Sequence, residues 1–139
     1  MAELAYDERA TNFASTNTTL FATTGTGGAD PVIAGLDVTV VGTGAAVMVE
    51  FFAPGVWQSA GTPVTAYFVV NGAVTAATSQ YRNYTAGGVG EGGSMRRRVV
   101  LTNGVSYTFK VGVCGYAAGI TQVTAGGASA GVIHLRVSD

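Results

Sequence analysis

The sequence predicts an all-β fold, an antiparallel β-sandwich of jelly-roll type with about eight to ten strands. Three observations support this prediction. Apolar and polar residues alternate over short runs, and turn signals separate those runs. No apolar pattern keeps helical spacing over three turns. Because composition does not shift along the chain, residues 1–139 are predicted to form a single domain.

The first part of the chain is predicted to contain short strands separated by glycine-rich turns. Alternation of apolar residues with threonine, serine and aspartate marks each strand. In order, the predicted elements are one or two strands within 4–24, a loop at 25–30, and a strand at 36–40 that ends at Gly42–Gly44.

The next strand, AVMVEFFAPG, carries apolar residues on both faces. We expect the protein core to cover one face and a neighbouring subunit to cover the other. Pro54–Gly55 is predicted to end the strand. The two faces are Val47, Val49 and Phe51, and Met48, Glu50 and Phe52.

Two Asn-Gly dipeptides are predicted to be type I′ hairpin turns. Such a turn needs positive φ at both central residues, which Gly adopts freely and Asn better than most residues. Asn71–Gly72 turns within residues 64–79, and Asn103–Gly104 turns within residues 95–114. We expect the second hairpin to be a long two-stranded ribbon around which the fold is organised.

The remaining segments are predicted from their glycine content and alternation. Residues 81–93, between Gln80 and Ser94, form a glycine-rich loop that carries Tyr81 and Tyr84. Residues 119–125 and 131–137 form a closing pair of strands, separated by small residues.

Composition favours an oligomer. Charged residues make up 11% of the chain and hydrophobic residues 47%, whereas an average soluble domain has about 25% charged residues. Uncharged and apolar groups must therefore cover much of the surface, and such surfaces usually contact partners. The formal net charge of −1 argues against a nucleic-acid partner.

Sequence signals for targeting and for site chemistry are sparse. No apolar run is long enough for a transmembrane helix, so no membrane partner is expected. The first ten residues lack the features of a secretory signal, and we expect synthesis in a bacterial cytoplasm.

The single cysteine, Cys114, is predicted to be a small buried residue. His134 has no partner set for zinc, and the acids sit at surface-type positions. No catalytic residue, metal site or cofactor is predicted.

Two groups of residues are candidates for contacts. The interface candidates combine the second face of the two-sided strand with the lone histidine: Met48, Glu50, Phe52 and His134. Aromatic and cationic residues, in predicted loops or in the Arg96–Arg98 run, are candidates for binding a partner. They are Trp57, Tyr81, Arg82, Tyr84, Arg96 and Arg98.

Several stretches resemble small β-rich domains of tailed-phage virion proteins, especially minor tail and decoration proteins of phages of actinobacteria. They are LAYDERATNFASTNTT, GLDVTVVGTGAAVMVEFFAPGV, RRRVVLTNGVSYTFKVGV and IHLRVSD. The order of elements is more distantly similar to trimeric, tumour-necrosis-factor-like jelly rolls. The resemblance implies a homotrimer and carries no catalytic residues. Because the domain starts at Met1 and stands alone, it better suits a decoration protein than the end of a longer tail protein.

We therefore expect a non-enzymatic structural protein of the virion exterior, bound to itself and to major capsid or tail proteins. The alternative is a module that binds host-surface glycans. Aromatic rings would then lie against a sugar ring, while Gln58, Arg82 and Asn83 hydrogen-bond its hydroxyls.

Overall fold

The structure, a computed structural model, describes residues 2–21, 23, 31–73, 80–83, 91–125 and 131–139. These residues form ten strands in two antiparallel sheets that pack as a sandwich, which confirms the predicted fold class. The strands are β1 (Glu3–Arg9), β2 (Phe13–Ser15), β3 (Val32–Val41), β4 (Ala46–Gln58), β5 (Val64–Val70), β6 (Gln80–Asn83), β7 (Glu91–Val100), β8 (Ser106–Gly115), β9 (Thr121–Thr124) and β10 (Ile133–Ser138).

The centre of the first sheet is β4. Along one edge β4 pairs with β10 and then with β9, and along the other edge it pairs with β7. Strand β1 pairs with β10, and β2 pairs with β9. The second sheet has the order β3, β8, β5 and β6. The pairs β1–β10, β3–β8, β4–β7 and β5–β6 nest inside one another along the sequence. A long hairpin rolled into two sheets gives this nesting, which is the jelly-roll arrangement.

Strand β4 is longer than predicted and does not end at Pro54–Gly55. It continues to Gln58, with a register irregularity between Ala53 and Val56. A proline is tolerated at such a bulge because its missing N–H is not needed by the ladder. As a result β4 pairs with β10 along its first half and with β9 along its second half. The two strands predicted to close the fold, β9 and β10, therefore both pair with β4.

The long ribbon predicted around Asn103–Gly104 is wrong. Strands β7 and β8 lie in different sheets, and the turn between them crosses the sandwich. Positive φ occurs at Gly104 and not at Asn103, so the turn is not type I′. Backbone bonds from Gly42 to Val105 and from Gly104 to Gly42 attach the turn to the end of β3. A type I′ turn would have kept the two strands paired.

The Asn71–Gly72 turn is as predicted. Asn71 and Gly72 have φ of 50° and 77°, and Val70 and Ala73 exchange both backbone hydrogen bonds. Residues 74–79 lie outside the described residues. The predicted loop at 81–93 is wrong at both ends, where β6 and the start of β7 are strands. The predicted loops at 25–30 and 126–130 lie outside the described residues.

The core lies between the two sheets and follows the predicted alternation. Val47, Val49 and Phe51 of β4 face inward and are fully or almost fully buried. Across from them lie Phe109, Val111 and Val113 of β8, each 0% exposed. Period-two alternation therefore identified the inner face of both central strands.

The outer face of the second sheet is partly covered by the chain itself. Tyr67, Val69 and Cys114 form a small buried cluster on that face, and Phe21 packs edge-on against the Tyr67 ring at 5.4 Å. The stretch of chain that leads to Phe21 is held by the buried Asn17, whose side chain donates hydrogen bonds to the carbonyls of Thr19 and Val113. Cys114 is thus buried, and burial raises the pKa of its thiol.

Strand β1 is fastened to the second sheet by its charged side chains. The Arg9 guanidinium donates a hydrogen bond to the carbonyl of Ala34 in β3, and others to the carbonyls of Thr11 and Asn12 just after β1. The Asp7 carboxylate accepts a 2.8 Å bond from the backbone N–H of Asp37. These contacts close one side of the sandwich and fix the strand that carries Tyr6 and Glu8.

Candidate functional site

The candidate site is the outer face of the first sheet, where β1, β10, β4 and β7 lie side by side. Three strand spacings of about 4.8 Å separate β1 from β7, or roughly 14 Å. The residues in register are Glu8, His134, Phe52 and Ser94 in one row, Tyr6, Arg136, Glu50 and Arg96 in the next, and Glu3, Ser138, Met48 and Arg98 in the third.

Glu50 is the charged centre of this face. Its exposed fraction is only 9%, so the prediction of surface-type acids is wrong at this position. Arg136 donates a 2.6 Å hydrogen bond to Oε1, and Nε of Arg96 lies 2.5 Å from Oε2. Such charge-assisted bonds offset the cost of removing the carboxylate from water. Both ion pairs depend on the strand order, because Arg136 on β10 and Arg96 on β7 are in register with Glu50 from opposite sides of β4.

An aromatic row borders the charged centre. The His134 ring stacks on Phe52 at 5.3 Å and lies 5.8 Å from the Tyr6 ring. Nε2 of His134 is 3.8 Å from Oε1 of Glu50. The Tyr6 hydroxyl donates a 2.7 Å hydrogen bond to Glu8. This bond, with burial and the nearby acids, raises the pKa of Tyr6 to about 12.

Large apolar groups on this face remain exposed to solvent. Tyr6 is 44% exposed and Val100 is 69% exposed, while Met48 and Phe52 are half-buried. All four predicted interface residues, Met48, Glu50, Phe52 and His134, lie together here. Sequence reasoning missed Tyr6 and Arg136, because only the pairing of β1 with β10 and of β10 with β4 brings them to this face.

The predicted partner-binding residues do not form one group. Arg96 and Arg98 lie on the outer face of β7, and Arg97 points to the other side of that strand. Tyr81 and Arg82 belong to β6 in the second sheet, and Tyr84 lies outside the described residues.

Trp57 lies within β4, although it was predicted in or beside a loop. It is half-buried, in register with Gln122 of β9 on the outer face of the first sheet. Gln58 is not available for a ligand, because its side chain is 0% exposed and bonds to Ala60 and Ala117. Gln122, which sequence reasoning missed, is the amide beside the tryptophan.

A groove of about 650 Å³ lies on the outer face of the second sheet, away from these residues. Its lining includes Asp37, Thr108 and Lys110, together with Val69 and Asn71. The described residues bring together no group of three His, Cys, Asp or Glu side chains able to hold a metal ion. Among the same residues, no helix is long and apolar enough to span a membrane.

Comparison with known proteins yields similarity in fold alone. No family model and no curated protein matches the chain. Solved structures similar to this chain at low identity include the following three. A carbohydrate-binding module of lichenase 5A from Cellvibrio mixtus, in complex with cellotriose, is 16% identical with a TM-score of 0.46, covering 99% of this chain and 98% of that chain. The C-terminal domain of the sugar-binding protein EclA is 12% identical with a TM-score of 0.43, covering 96% and 77%. The xylan-binding domain CBM22-1 of Xyn10C from Paenibacillus barcinonensis is 13% identical with a TM-score of 0.36, covering 96% and 84%.

Proposed function

We propose that this chain is a non-catalytic, self-associating structural protein, and that copies of it meet through the outer face of the first sheet. The observation that carries the proposal is that Met48, Glu50, Phe52 and His134 lie together on a face with exposed apolar groups. Burying apolar surface is favourable by roughly 25 cal/mol per Å². A second copy would cover the rings and methyl groups that solvent now contacts.

The charge at the centre of this face is compatible with burial between subunits. An isolated carboxylate would cost several kcal/mol to desolvate. The Glu50 carboxylate already accepts a hydrogen bond from Arg136 and forms an ion pair with Arg96, so it needs no further partner from a second copy. The second sheet is less suited, because Phe21 and its neighbours cover part of its outer face.

The particle and the number of copies come from the sequence resemblance. Similarity to small virion proteins of tailed phages supports a place on the exterior of a capsid or tail, and similarity to trimeric jelly rolls supports three copies. Many shallow contacts made by one oligomer would give avidity without any single strong contact.

Light scattering during gel filtration tests self-association. At micromolar concentration we expect a mass three times the 14.0 kDa of one chain. Met48→Asp or Phe52→Asp should reduce it to one chain, because an unpaired carboxylate would be buried. Ser106→Asp, at an exposed position of the second sheet, is the matched control and should keep the wild-type mass. A wild-type mass of one chain would overturn the proposal.

Mass spectrometry of purified phage particles tests the location. The virion role predicts this chain at a defined number of copies per particle, after washing has removed loosely bound proteins. Its absence from particles whose genome encodes it would contradict that role and leave self-association unaffected.

Sugar binding is the second candidate function, and Trp57 beside Gln122 is the observation that favours it. A half-buried indole ring can lie against the apolar face of a sugar, and an amide can bond to its hydroxyls. Because the solved structures are similar in fold alone, this candidate is inferred from the two side chains.

Glycan-array binding by the intact oligomer tests the second candidate. Trp57→Ala and Gln122→Ala should each abolish binding while the oligomer mass stays unchanged. Binding that both variants retain would contradict a site at Trp57, and the absence of binding by the wild type would leave the structural role.

A further inference from the structure

The two opposite edges of the first sheet differ in charge: acids predominate on β1 and arginines on β7. Three of the eight acidic residues lie on β1, and three of the seven Lys and Arg residues lie on β7. These strands are the outer members of the row β1–β10–β4–β7, roughly 14 Å apart. Each copy therefore presents an acidic edge and a basic edge beside the same apolar face.

The outward-facing charges can be assigned residue by residue. Glu3 pairs with Ser138 and Glu8 with His134, which places both acids on the outer face with Tyr6 between them. Glu3 and Glu8 also each raise the pKa of Tyr6, consistent with their closeness to its hydroxyl. On β7, Arg96 and Arg98 are in register with Glu50 and Met48. We call Glu3 and Glu8 the acidic edge, and Arg96 and Arg98 the basic edge.

We propose that a second copy of this chain docks with its acidic edge on the basic edge of the first. This inference rests on the proposed self-association and specifies its geometry. A copy placed with like edges together would bring Glu3 and Glu8 against the same acids, or arginine against arginine. Like charges in contact disfavour that arrangement, whereas opposite edges attract and set the register. Arg96 stays bound to Glu50, so Arg98 is the cation best placed to reach the partner.

Charge reversal at one position on each edge tests the pairing. Glu3→Arg and Arg98→Glu should each raise the concentration at which the oligomer dissociates by tenfold or more, measured by light scattering over a dilution series. The double variant Glu3→Arg/Arg98→Glu restores opposite charges and should return the dissociation to within about threefold of wild type. Arg97→Glu is the matched control, since Arg97 points to the other side of β7, and it should leave the dissociation unchanged.

The outcomes separate this inference from the function on which it rests. A monomeric wild type overturns self-association itself. A wild-type oligomer that both single variants leave intact overturns the edge pairing and keeps self-association. Single variants that dissociate without recovery in the double variant also overturn the pairing. Circular dichroism of each variant shows whether a change in mass reflects lost folding, and recovery in the double variant excludes that cause.

Discussion

Replacing Gly112 by Ala should destabilise the fold through the ring of Tyr67. An ideal Cβ at position 112 would lie 2.4 Å from Cε2 and 2.6 Å from Cζ of that ring. Carbon atoms pack best at about 3.5–4.0 Å, so the ring must move by about 1 Å or more. The ring is fully buried and packs against Phe21, which leaves little space for that movement.

The expected cost is that of overpacking a tight core. Inserting a methyl group into such a site costs about 1–3 kcal/mol, and the short contacts here favour the upper end of that range. For a chain of this length that corresponds to a fall in Tm of roughly 10 °C. Denaturant unfolding followed by circular dichroism, at one fixed protein concentration, measures the change in the free energy of unfolding.

A double-mutant cycle isolates the clash from other effects of the methyl group. Tyr67→Leu removes the ring atoms nearest position 112 and keeps an apolar side chain in the cluster. In that background Gly112→Ala should cost less than about 0.5 kcal/mol or stabilise slightly, because the glycine has no positive φ and its loss reduces unfolded-state entropy. Equal destabilisation in both backgrounds would refute the proposed contact between Tyr67 and Gly112.

Three further measurements follow from the contacts described above. The pKa of Tyr6 is raised to about 12, so the difference between ultraviolet titrations of wild type and Tyr6→Phe should show a phenol that ionises near pH 12, and Glu8→Gln should lower that value. Because this pKa is higher when folded, the stabilisation from the neutral phenol is present below about pH 10 and is lost as the pH rises through about 12. The Cys114 thiol, 2% exposed, should not react with a thiol reagent in the folded protein and should react fully in denaturant; rapid native reaction would contradict its burial. Asn17→Ala should lower the free energy of unfolding by about 2 kcal/mol, since the Val113 carbonyl loses a buried donor; an unchanged unfolding curve would count against that role.

Local alternation in the sequence determined which side of each strand is apolar. Met48, Glu50 and Phe52 were placed on one face because side chains alternate along any strand, whatever its partners. The Asn71–Gly72 turn was also local, since two residues with positive φ fix a short hairpin. Both features depend on residues close in sequence, and both are present in the structure.

The tertiary structure decided which strands are neighbours. Asn103–Gly104 has the same residues as the other turn, yet it joins two sheets, because β7 pairs with β4 and β8 pairs with β3 and β5. Strand β4 passes Pro54 because a bulge removes the need for its N–H. Arg136 reaches Glu50, and Tyr6 lies beside His134, only through the order β1–β10–β4. Any strand with one apolar face can bury it against many others, so alternation leaves the pairing open and packing of the whole core selects it.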